Sequence, residues 1–511
     1  MKVFSFIVFT LLIGINCNAQ KLSFTVDGIE NDTVNLARYL GNKLYYADTV
    51  VAKNGTAVFD GSKHEGGLMA FVTKEGRYFE FILDNEEVAM KCTNVQDMVG
   101  SMSVSKSENN KVFYDYIHFM TAKKRENAKE MEAIKAHKKD SPEYNKSKEK
   151  IEAIDKEIED YQKKLVADNG DRFIAVLVKM SMDIELPELP RDDKGNVTDS
   201  NYVYNYYINH YWDNVPLKDE RIVRTPIYQN KLEKYYAKRG GILQIPDTIT
   251  KYTKLFLDKM DQDKDKNVLF QFTVNYITNK YEESNIMGMD RVFVYMARNY
   301  YCAPNDKAWW VKQEQQDKIC ERADKIGRTM IGEYAPMLIL PDSTEDKWIN
   351  SYKLDAEYTI LYFWDPKCGH CKKVTPKLQT LYEKKFKERN VEIYAVGKAT
   401  GDDFERWKEY IVENKLTFIN VGLTKNVYNQ ALEDPRPLLE KTTLQSLNYS
   451  DTYDIYSTPR IFILDKDKKI IFKQLSISQL EEIIDKKTGH DDDEKIFPIE
   501  EEPEDEKPEN H

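Results

Sequence analysis

The pattern of hydrophobic and polar positions divides the chain into successive regions. Short apolar runs separated by turn residues such as Asp27-Gly28 predict a small antiparallel β-sandwich or barrel over residues 20–107. Apolar residues at helical spacing, diluted by Lys and Glu, then predict a charged helical connector over residues 108–170. Runs rich in Tyr, Phe and Trp at the same spacing predict an all-α domain over residues 171–328. Such aromatic residues favour a helical core over a groove for a partner.

Beyond this region the pattern alternates between strands and helices. Strand "AEYTILYFW", helix "CKKVTPKLQTLYEKKFKER" and strand "VEIYAVG" precede the hairpin "RIFILDKDKKIIF" and a last helix. This alternation predicts an α/β domain over residues 329–487, with a mostly parallel sheet and one antiparallel pair. Residues 488–511 mix acids with prolines, which predicts a disordered acidic tail. The fold class is therefore multidomain.

The two helices of the connector should meet at Asp140-Ser141-Pro142, because a capping serine and a proline suit a first helical turn. In the aromatic region, mixed charges favour a salt-bridge network over a docking surface. The residues concerned are Asp213, Asp219, Glu220, Arg221 and Arg224.

The N-terminus has the order of a cleavable export signal. A lysine precedes an apolar run, and small residues stand before Gln20, which predicts a signal peptide over residues 1–19. We therefore expect the protein in the periplasm or cell envelope. Lipid anchoring at Cys17 is disfavoured, because Ile15 and Asn16 are not the small residues expected before a lipidated cysteine. No other apolar run is long enough to span a bilayer.

Charge and cysteine content narrow the function further. The formal net charge of −11 argues against nucleic acid as a partner. The few cysteines that remain after Cys17 do not make a disulfide scaffold. A predicted helical hairpin around Ala303-Pro304 places Cys302 at the turn and Cys320 well along the second helix. At about 1.5 Å per residue, these two should lie beyond disulfide reach and stay free thiols.

The stretch "FWDPKCGHCKKVTP" carries the candidate chemistry. A strand that ends before Cys368 and a helix that opens at it place this thiol at the positive end of a helix, with Cys371 one turn later and more buried. We expect Cys368 to be the nucleophile and Cys371 the resolving thiol. Gly369 and His370 stand between them, and His370 can stabilise the thiolate, as can the charge of Lys367.

Other uses of a cysteine pair fit less well. A structural zinc site needs about four Cys or His ligands, and no second suitable motif completes one. Covalent haem needs His directly after the second cysteine, where Lys372 stands, and a peroxidase of the peroxiredoxin type needs Thr or Ser at Asp365. Redox exchange is thus favoured over a structural disulfide, with no metal and no cofactor expected.

These motifs together resemble the thioredoxin fold of the secreted TlpA/ResA-like branch over residues 332–486. The entry segment "GEYAPMLIL", the active-site stretch with Pro376 in its helix, and the loop "STPRIFILD" carry the resemblance. It implies a cis Pro459 that faces the cysteines and a Thr458 backbone that pairs with a substrate chain. Trp364, Thr458 and Pro459 are the substrate-binding residues expected on this basis.

The chain differs from that family at the residues that would move protons to and from the buried cysteine. Thioredoxins usually carry an acidic residue where Tyr362 stands, and the TlpA/ResA branch often carries glutamate at Val374. The insert over residues 425–451 is longer than usual and is expected to shape the rim of the site. The upstream modules, with "YWDNVPLKDERIVRTP" and "NIMGMDRVFVYMA", resemble uncharacterised domains that precede thioredoxin modules in exported Bacteroidota proteins.

The sequence thus predicts an extracytoplasmic thiol-disulfide oxidoreductase that acts on protein thiols or disulfides with an unidentified redox partner. The direction, isomerase and oxidase or reductase, stays open. A rival hypothesis is an envelope binding or scaffold protein whose thioredoxin module is accessory. A reductase in cytochrome-c maturation is a third.

Overall fold

The computed structural model describes residues 20–260, 262, 267–284, 286–304, 306–401 and 403–498. The predicted signal over residues 1–19 lies outside these ranges. The chain forms two compact units. One runs to Gln244 and includes Lys254–Phe272, and the other comprises Ile245–Thr253 and the chain from Thr273 onward. This division passes through the central helices, and our domain boundaries stay predictions.

Two four-stranded sheets open the first unit. Their strands are β1 Lys21–Val26, β2 Thr33–Leu40, β3 Lys43–Val51, β4 Thr56–Asp60, β5 Gly67–Val72, β6 Tyr78–Leu83, β7 Val88–Cys92 and β8 Met102–Lys106, in the orders β4-β1-β7-β8 and β3-β2-β5-β6. The ring of Phe24 on β1 lies 4.8 Å from Phe81 on β6 and 5.3 Å from Phe71 on β5, so the two sheets share a core. This confirms the sandwich, although β1 and β7 pair in parallel.

The helices that follow confirm the central all-α region. They are α1 Glu108–Ala136, α2 Pro142–Asp168, α3 Phe173–Ser181, α4 Tyr202–His210, α5 Pro226–Tyr235, α6 Pro246–Leu257, α7 Val268–Glu282, α8 Asp290–Met296 and α9 Gln313–Gly327. Ser141 caps α2 by accepting from the N–H of Tyr144 at 3.2 Å, so the predicted turn lies where expected. None of the helices within the described ranges is long and apolar enough to cross a membrane.

The aromatic residues of this region are mostly core, as expected. Trp212 stacks on Phe256 with ring centroids 4.0 Å apart, and Tyr228 and Tyr235 are almost fully buried. Only part of the charged group nearby forms a salt-bridge network, since Arg224 pairs with Glu65 and the half-exposed Asp213 pairs with His210. The guanidinium of Arg221 donates to Asp219 and to Asp84 of the β-sandwich, each at 2.7 Å. The network therefore holds helices and sandwich together inside the first unit.

The expectation of free thiols at Cys302 and Cys320 is wrong. The two sulfurs form a disulfide, with Cα atoms 5.7 Å apart. A π-helical segment, Ala297–Tyr301, continues α8 up to Cys302, and a non-helical stretch then separates it from α9. Because α9 begins only at Gln313, Cys320 lies about two turns into that helix, where it packs against the end of the preceding one. Sequence periodicity placed the start of this helix too early.

The second unit contains the predicted α/β domain. Its elements are β9 Ile339–Pro341, β10 Trp348–Asn350, β11 Tyr358–Trp364, α10 Gly369–Leu381, β12 Val391–Gly397, α11 Asp403–Glu413, β13 Ile419–Gly422, α12 Lys425–Glu433, α13 Leu444–Leu447, α14 Tyr449–Thr452, β14 Arg460–Leu464, β15 Ile470–Lys473 and α15 Ile477–Lys487. The sheet order is β13-β12-β11-β14-β15. β11 pairs in parallel with β12 and antiparallel with β14, which confirms the mixed sheet.

The central strand β11 is buried on both faces. Ile360 and Tyr362 enter one hydrophobic cluster, and Leu361 and Phe363 enter the other. An uninterrupted apolar strand of this kind is typical of a sheet covered by helices on both sides. The strand therefore delivers the residues that follow it, from Asp365 on, to a defined edge of the sheet.

The predicted acidic tail is ordered as far as residue 498, so the prediction of disorder is wrong for that part. The Glu481 carboxylate on α15 accepts from the N–H groups of Ile496 and Phe497, each at 2.7 Å. Lys385 donates to Glu481 and to Asp485, and all three side chains are almost fully buried. Buried carboxylates need such partners, which a composition argument does not reveal. Residues 499–511 lie outside the described residues.

Candidate functional site

The cysteine pair lies where strand β11 passes into helix α10. Cys368 is the N-cap of α10, and its backbone N–H donates to the Asp365 carbonyl at 3.0 Å. The Cys368 sulfur accepts from the backbone N–H of Cys371 at 3.4 Å. The first turn of a helix offers unpaired N–H groups and a positive dipole end, both of which favour a thiolate. The predicted strand-to-helix placement of the pair is confirmed.

The two thiols have different environments. Cys368 is partly exposed, whereas Cys371 is 1% exposed, and both are free. Burial alone would raise the pKa of Cys368, but hydrogen bonds with Cys371, with the side chain of Thr458 and with the His370 backbone hold that pKa below its usual value. Burial dominates at Cys371 and raises the pKa of its thiol to about 11. At neutral pH the outer sulfur is therefore the more nucleophilic of the two.

A second loop closes on the outer sulfur. The Thr458–Pro459 peptide bond is cis, as the resemblance implied. The Cys368 thiol lies 3.3 Å from the Thr458 carbonyl oxygen. Strand β14 begins directly after this proline, and its first residue, Arg460, is paired with Phe363 of β11. The antiparallel pairing of β14 with the active-site strand thus sets the position of the loop.

The remaining predicted site residues lie in different surroundings. Gly369 and His370 are exposed on the first turn of α10. A Cβ added at Gly369 would meet no atom within 4 Å, so the backbone there tolerates a side chain. The Trp364 side chain is 1% exposed and packs against the ring of Tyr410 at 5.2 Å. This burial favours a supporting position beneath the site over contact with a substrate, and a substrate-binding role for Trp364 stays a prediction.

Tyr362 lies beneath the buried thiol, where related proteins usually carry an acid. Its hydroxyl and the Thr375 hydroxyl oxygen are 2.8 Å apart, and Thr375 donates to the Cys371 carbonyl at 2.9 Å. Burial raises the pKa of Tyr362 well above its usual value. The phenol therefore stays neutral over the working range and organises the first turns of α10 without taking up a proton. Val374, the second departure, is half-buried against the core.

An ion-pair group that the sequence analysis missed fixes the loop before the cysteines. The Asp403 carboxylate, only 6% exposed, accepts from Lys367 at 2.6 Å and from Arg406 at 3.1 Å. Lys398 lies 3.4 Å from Asp365. The charge of Lys367 is therefore engaged by Asp403, where we had expected it to support the Cys368 thiolate. An acid at the start of a helix with arginine three residues later was the available signal.

A cavity of about 260 Å³ lies between the end of β11 and the cis-proline loop. The insert after β13 contributes Tyr449 and Ser450 to its wall, and the cis-proline loop contributes Tyr456 and Thr458. The insert therefore borders this cavity, and its role in shaping the rim of the reactive site stays a prediction. Neither cysteine lines this cavity, but Thr458 does, and its carbonyl oxygen contacts the Cys368 thiol.

Three families match successive parts of the chain. Residues 355–470 match a thioredoxin-like family. Residues 21–113 and 123–329 match two domains of unknown function, DUF4369 and DUF5106 respectively. The upstream matches agree with the resemblance to uncharacterised domains and supply no activity.

Similar proteins carry thiol-disulfide or thioredoxin-like names. The thiol-disulfide oxidoreductase ResA of Bacillus cereus is 28% identical over 151 residues, which cover 30% of this chain and 72% of that protein. A domain of a possible thiol-disulfide isomerase from Cytophaga hutchinsonii is 31% identical, covering 31% of this chain and 94% of that one with a TM-score of 0.25. A thioredoxin-like protein from Bacteroides caccae is 15% identical, covering 59% of this chain and 98% of that one with a TM-score of 0.42.

Proposed function

We propose that the Cys-Gly-His-Cys dithiol, which lies in the part of the chain that matches a thioredoxin-like family, exchanges disulfides with protein substrates outside the cytoplasm. The observation that carries this proposal is the unequal pair of thiols. Cys368 is partly exposed with a lowered pKa, and Cys371 is buried with a raised one. An accessible thiol that ionises readily suits the nucleophile, and a protected thiol beside it suits the resolving cysteine.

The exchange proceeds in two steps. The Cys368 thiolate attacks one sulfur of a substrate disulfide, so that the substrate S–S bond breaks and one substrate thiolate leaves. Cys371 then loses its proton and attacks Cys368 in the mixed disulfide, which releases the second substrate thiolate. The substrate gains two electrons and the enzyme pair becomes a disulfide; the reverse sequence oxidises a substrate dithiol.

The electrostatics favour the oxidising and isomerising direction. Stabilising the Cys368 thiolate stabilises the reduced enzyme, which makes its disulfide form a stronger oxidant. The neutral Tyr362 is not a base for the Cys371 proton, because its own pKa is raised well above its usual value. The departing substrate thiolate is the base that the reaction itself brings next to Cys371.

The bridged cysteines support the proposed compartment. The bridge between Cys302 and Cys320 persists only where thiols are not kept reduced, as in the periplasm or outside the cell. The apolar N-terminal run is the predicted signal for such export. Recovering the expressed protein from the periplasmic fraction, with this bridge intact by peptide mapping, would agree with the proposal. A reduced protein confined to the cytoplasm would contradict it.

The deciding experiment is the reduction potential of the pair, measured by equilibrating the protein with defined glutathione ratios. A potential near or above roughly −200 mV is expected for an isomerase or oxidase, whereas one near −270 mV or lower would indicate a reductase. Complementation of a deletion strain with the Cys368→Ser, Cys371→Ser double variant tests the scaffold alternative. Redox function predicts that the double variant fails to complement, and full complementation would favour the scaffold.

A further inference from the structure

A larger cavity lies on the other side of the cis-proline loop. Its volume is about 630 Å³, within the range of ordinary ligand sites. One wall comes from the helices before the α/β domain and includes Glu282, Asp290 and Arg322. The other wall includes Asp454 and Tyr456, which come just before the loop. Helices outside the thioredoxin-like match thus meet the redox domain in this cavity.

Tyr456 joins this cavity to the redox site. It is 71% exposed and borders both this cavity and the smaller one between β11 and the cis-proline loop. Two residues later, the Thr458 carbonyl contacts the Cys368 thiol. The guanidinium of Arg322, from the opposite wall, lies 6.0 Å from the Tyr456 ring. A protein chain that reacts at Cys368 would therefore have this cavity within reach of its flanking residues.

Several charged groups of the cavity are only half satisfied. Arg322 is paired with Glu282, and Lys473 is paired with Asp290. Yet Asp290 Oδ1, Arg322 Nε and Asp454 Oδ1 are buried and have no hydrogen-bond partner among the described residues. Buried polar atoms are nearly always paired in folded proteins, and an exception requires an explanation. A ligand that brings the missing partners is one such explanation.

The balance of the unpaired atoms indicates the charge of that ligand. Two of the three are carboxylate oxygens, which accept hydrogen bonds and attract cations. Burial raises the pKa of Asp454. This effect of burial is larger than the lowering of the pKa by Arg322, Tyr456 and other nearby groups. Carboxylates also outnumber cations among the lining residues, which include Glu282, Glu283, Asp290, Asp454, Arg322, Arg460 and Lys473. A guanidinium offers five donors and a full positive charge, and an ammonium offers three donors.

We propose that this cavity is a substrate subsite that binds an arginine or lysine side chain of the protein whose disulfide reacts at Cys368. The inference rests on the proposed function and extends it, because it assigns part of the substrate selection to helices outside the thioredoxin-like match. The exchange chemistry is left as described. The subsite supplies a preference among substrates by holding the chain that carries the reacting cysteine.

The test uses peptides that each carry one cysteine in a mixed disulfide with a fluorescent thiol. One arginine is moved through every position around the cysteine, and matched peptides carry glutamine or glutamate at the same positions. With the full chain, at least one arginine peptide should exceed its glutamine partner about fivefold in kcat/KM, with the glutamate peptide slowest. Equal rates for all three at every position would overturn the subsite.

The variants locate the preference in the cavity. Asp454→Asn should bring the ratio of kcat/KM for the arginine and glutamine peptides close to unity. If the Asp454→Asn protein does not fold, Asp290→Asn or Glu283→Gln replaces it in the test. Asp467→Asn is the matched control, because Asp467 is exposed in the turn between β14 and β15, away from the cavity lining, and makes the same change of charge. The control should keep the wild-type ratio. A preference that survives all the cavity variants would place the basic side chain elsewhere.

A binding assay separates this proposal from the proposed function. The Cys368→Ser, Cys371→Ser protein is titrated with labelled peptides that carry serine in place of cysteine, and binding is followed by fluorescence anisotropy. Tighter binding of the arginine peptide without any turnover by the wild type would support the subsite and refute the exchange function. Turnover of a small dye disulfide without an arginine preference in either assay would support the exchange function and refute the subsite.

Discussion

Two cysteine pairs in the second unit differ in their bonding. Cys368 and Cys371 lie one helical turn apart at the start of α10 and are free, whereas Cys302 and Cys320 are 18 residues apart and bridged. The first pair has an exposed sulfur at a helix N-terminus, which favours a thiolate and rapid exchange. The second ties the end of one helical segment to the side of the next helix. The comparison shows that two thiols alone do not decide between a free pair and a bridge, and that the backbone position of each thiol does.

The largest difference between the pairs should appear when single thiols are removed. Cys368→Ser should lower disulfide exchange by about a thousandfold or more, because the nucleophile is gone. Cys371→Ser should still attack and then accumulate the mixed disulfide, since nothing resolves it. Non-reducing mass spectrometry of protein incubated with a disulfide substrate detects the trapped adduct. Cys92→Ser, at the buried free cysteine of the β-sandwich, is the control and should leave turnover unchanged.

That assignment would be reversed if Cys371→Ser lost all reactivity while Cys368→Ser accumulated the adduct.

The bridged pair should matter for stability and not for turnover. Replacing Cys302 and Cys320 together by serine removes the closure of an 18-residue separation, which is expected to lower the free energy of unfolding by about 3 kcal/mol. Urea unfolding of wild type and double variant under non-reducing conditions measures the difference. Exchange with a small dye disulfide should stay within about twofold of wild type. If turnover fell as far as in Cys371→Ser, this pair would lie on the electron path.

The pH dependence of alkylation should separate the two thiols of the reactive pair. The lowered pKa of Cys368 means that its thiolate forms at a lower pH than in an unstructured peptide. Its reaction with iodoacetamide at neutral pH should therefore be about tenfold faster than that of the peptide. Cys371, with a pKa of about 11, should react appreciably only in strongly alkaline solution. Peptide mapping after timed quenching assigns each modification.

A pH profile for Cys368 like that of the free peptide would show that the helix N-terminus and Thr458 do not stabilise its thiolate.

The smallest effect is expected at Lys367. Its ammonium is held by Asp403 at 2.6 Å, yet the side chain is 52% exposed, so solvent screens the pair. Lys367→Gln should change the unfolding free energy by less than about 1 kcal/mol and the exchange rate by less than about twofold. Lys466→Gln, an exposed lysine in the β14–β15 turn, is the matched control. A tenfold fall in exchange rate for Lys367→Gln alone would mean that this charge does act on Cys368.

Elements with a strong local signal agree with the sequence predictions. The Cys-Gly-His-Cys stretch follows a wholly apolar strand, and a capping serine with proline starts α2, so local preferences decided both places. The cis Pro459 followed from resemblance to a family and not from periodicity. The misses arise where distant segments meet. The partners of Asp403, the buried Lys385 pairs and the ordered stretch up to residue 498 all depend on contacts across the fold.

The sequence by itself determined the succession of β, α and α/β regions and the choice of Cys368 and Cys371 as the candidate dithiol, because hydrophobic period and motif spacing are local properties of the chain. Only the tertiary structure decided that Cys302 and Cys320 are bridged and that the Thr458 carbonyl meets Cys368. It also decided that Arg322 and Asp454 face one cavity. Such distances depend on where helices begin and how strands pair, and residue spacing alone does not specify either.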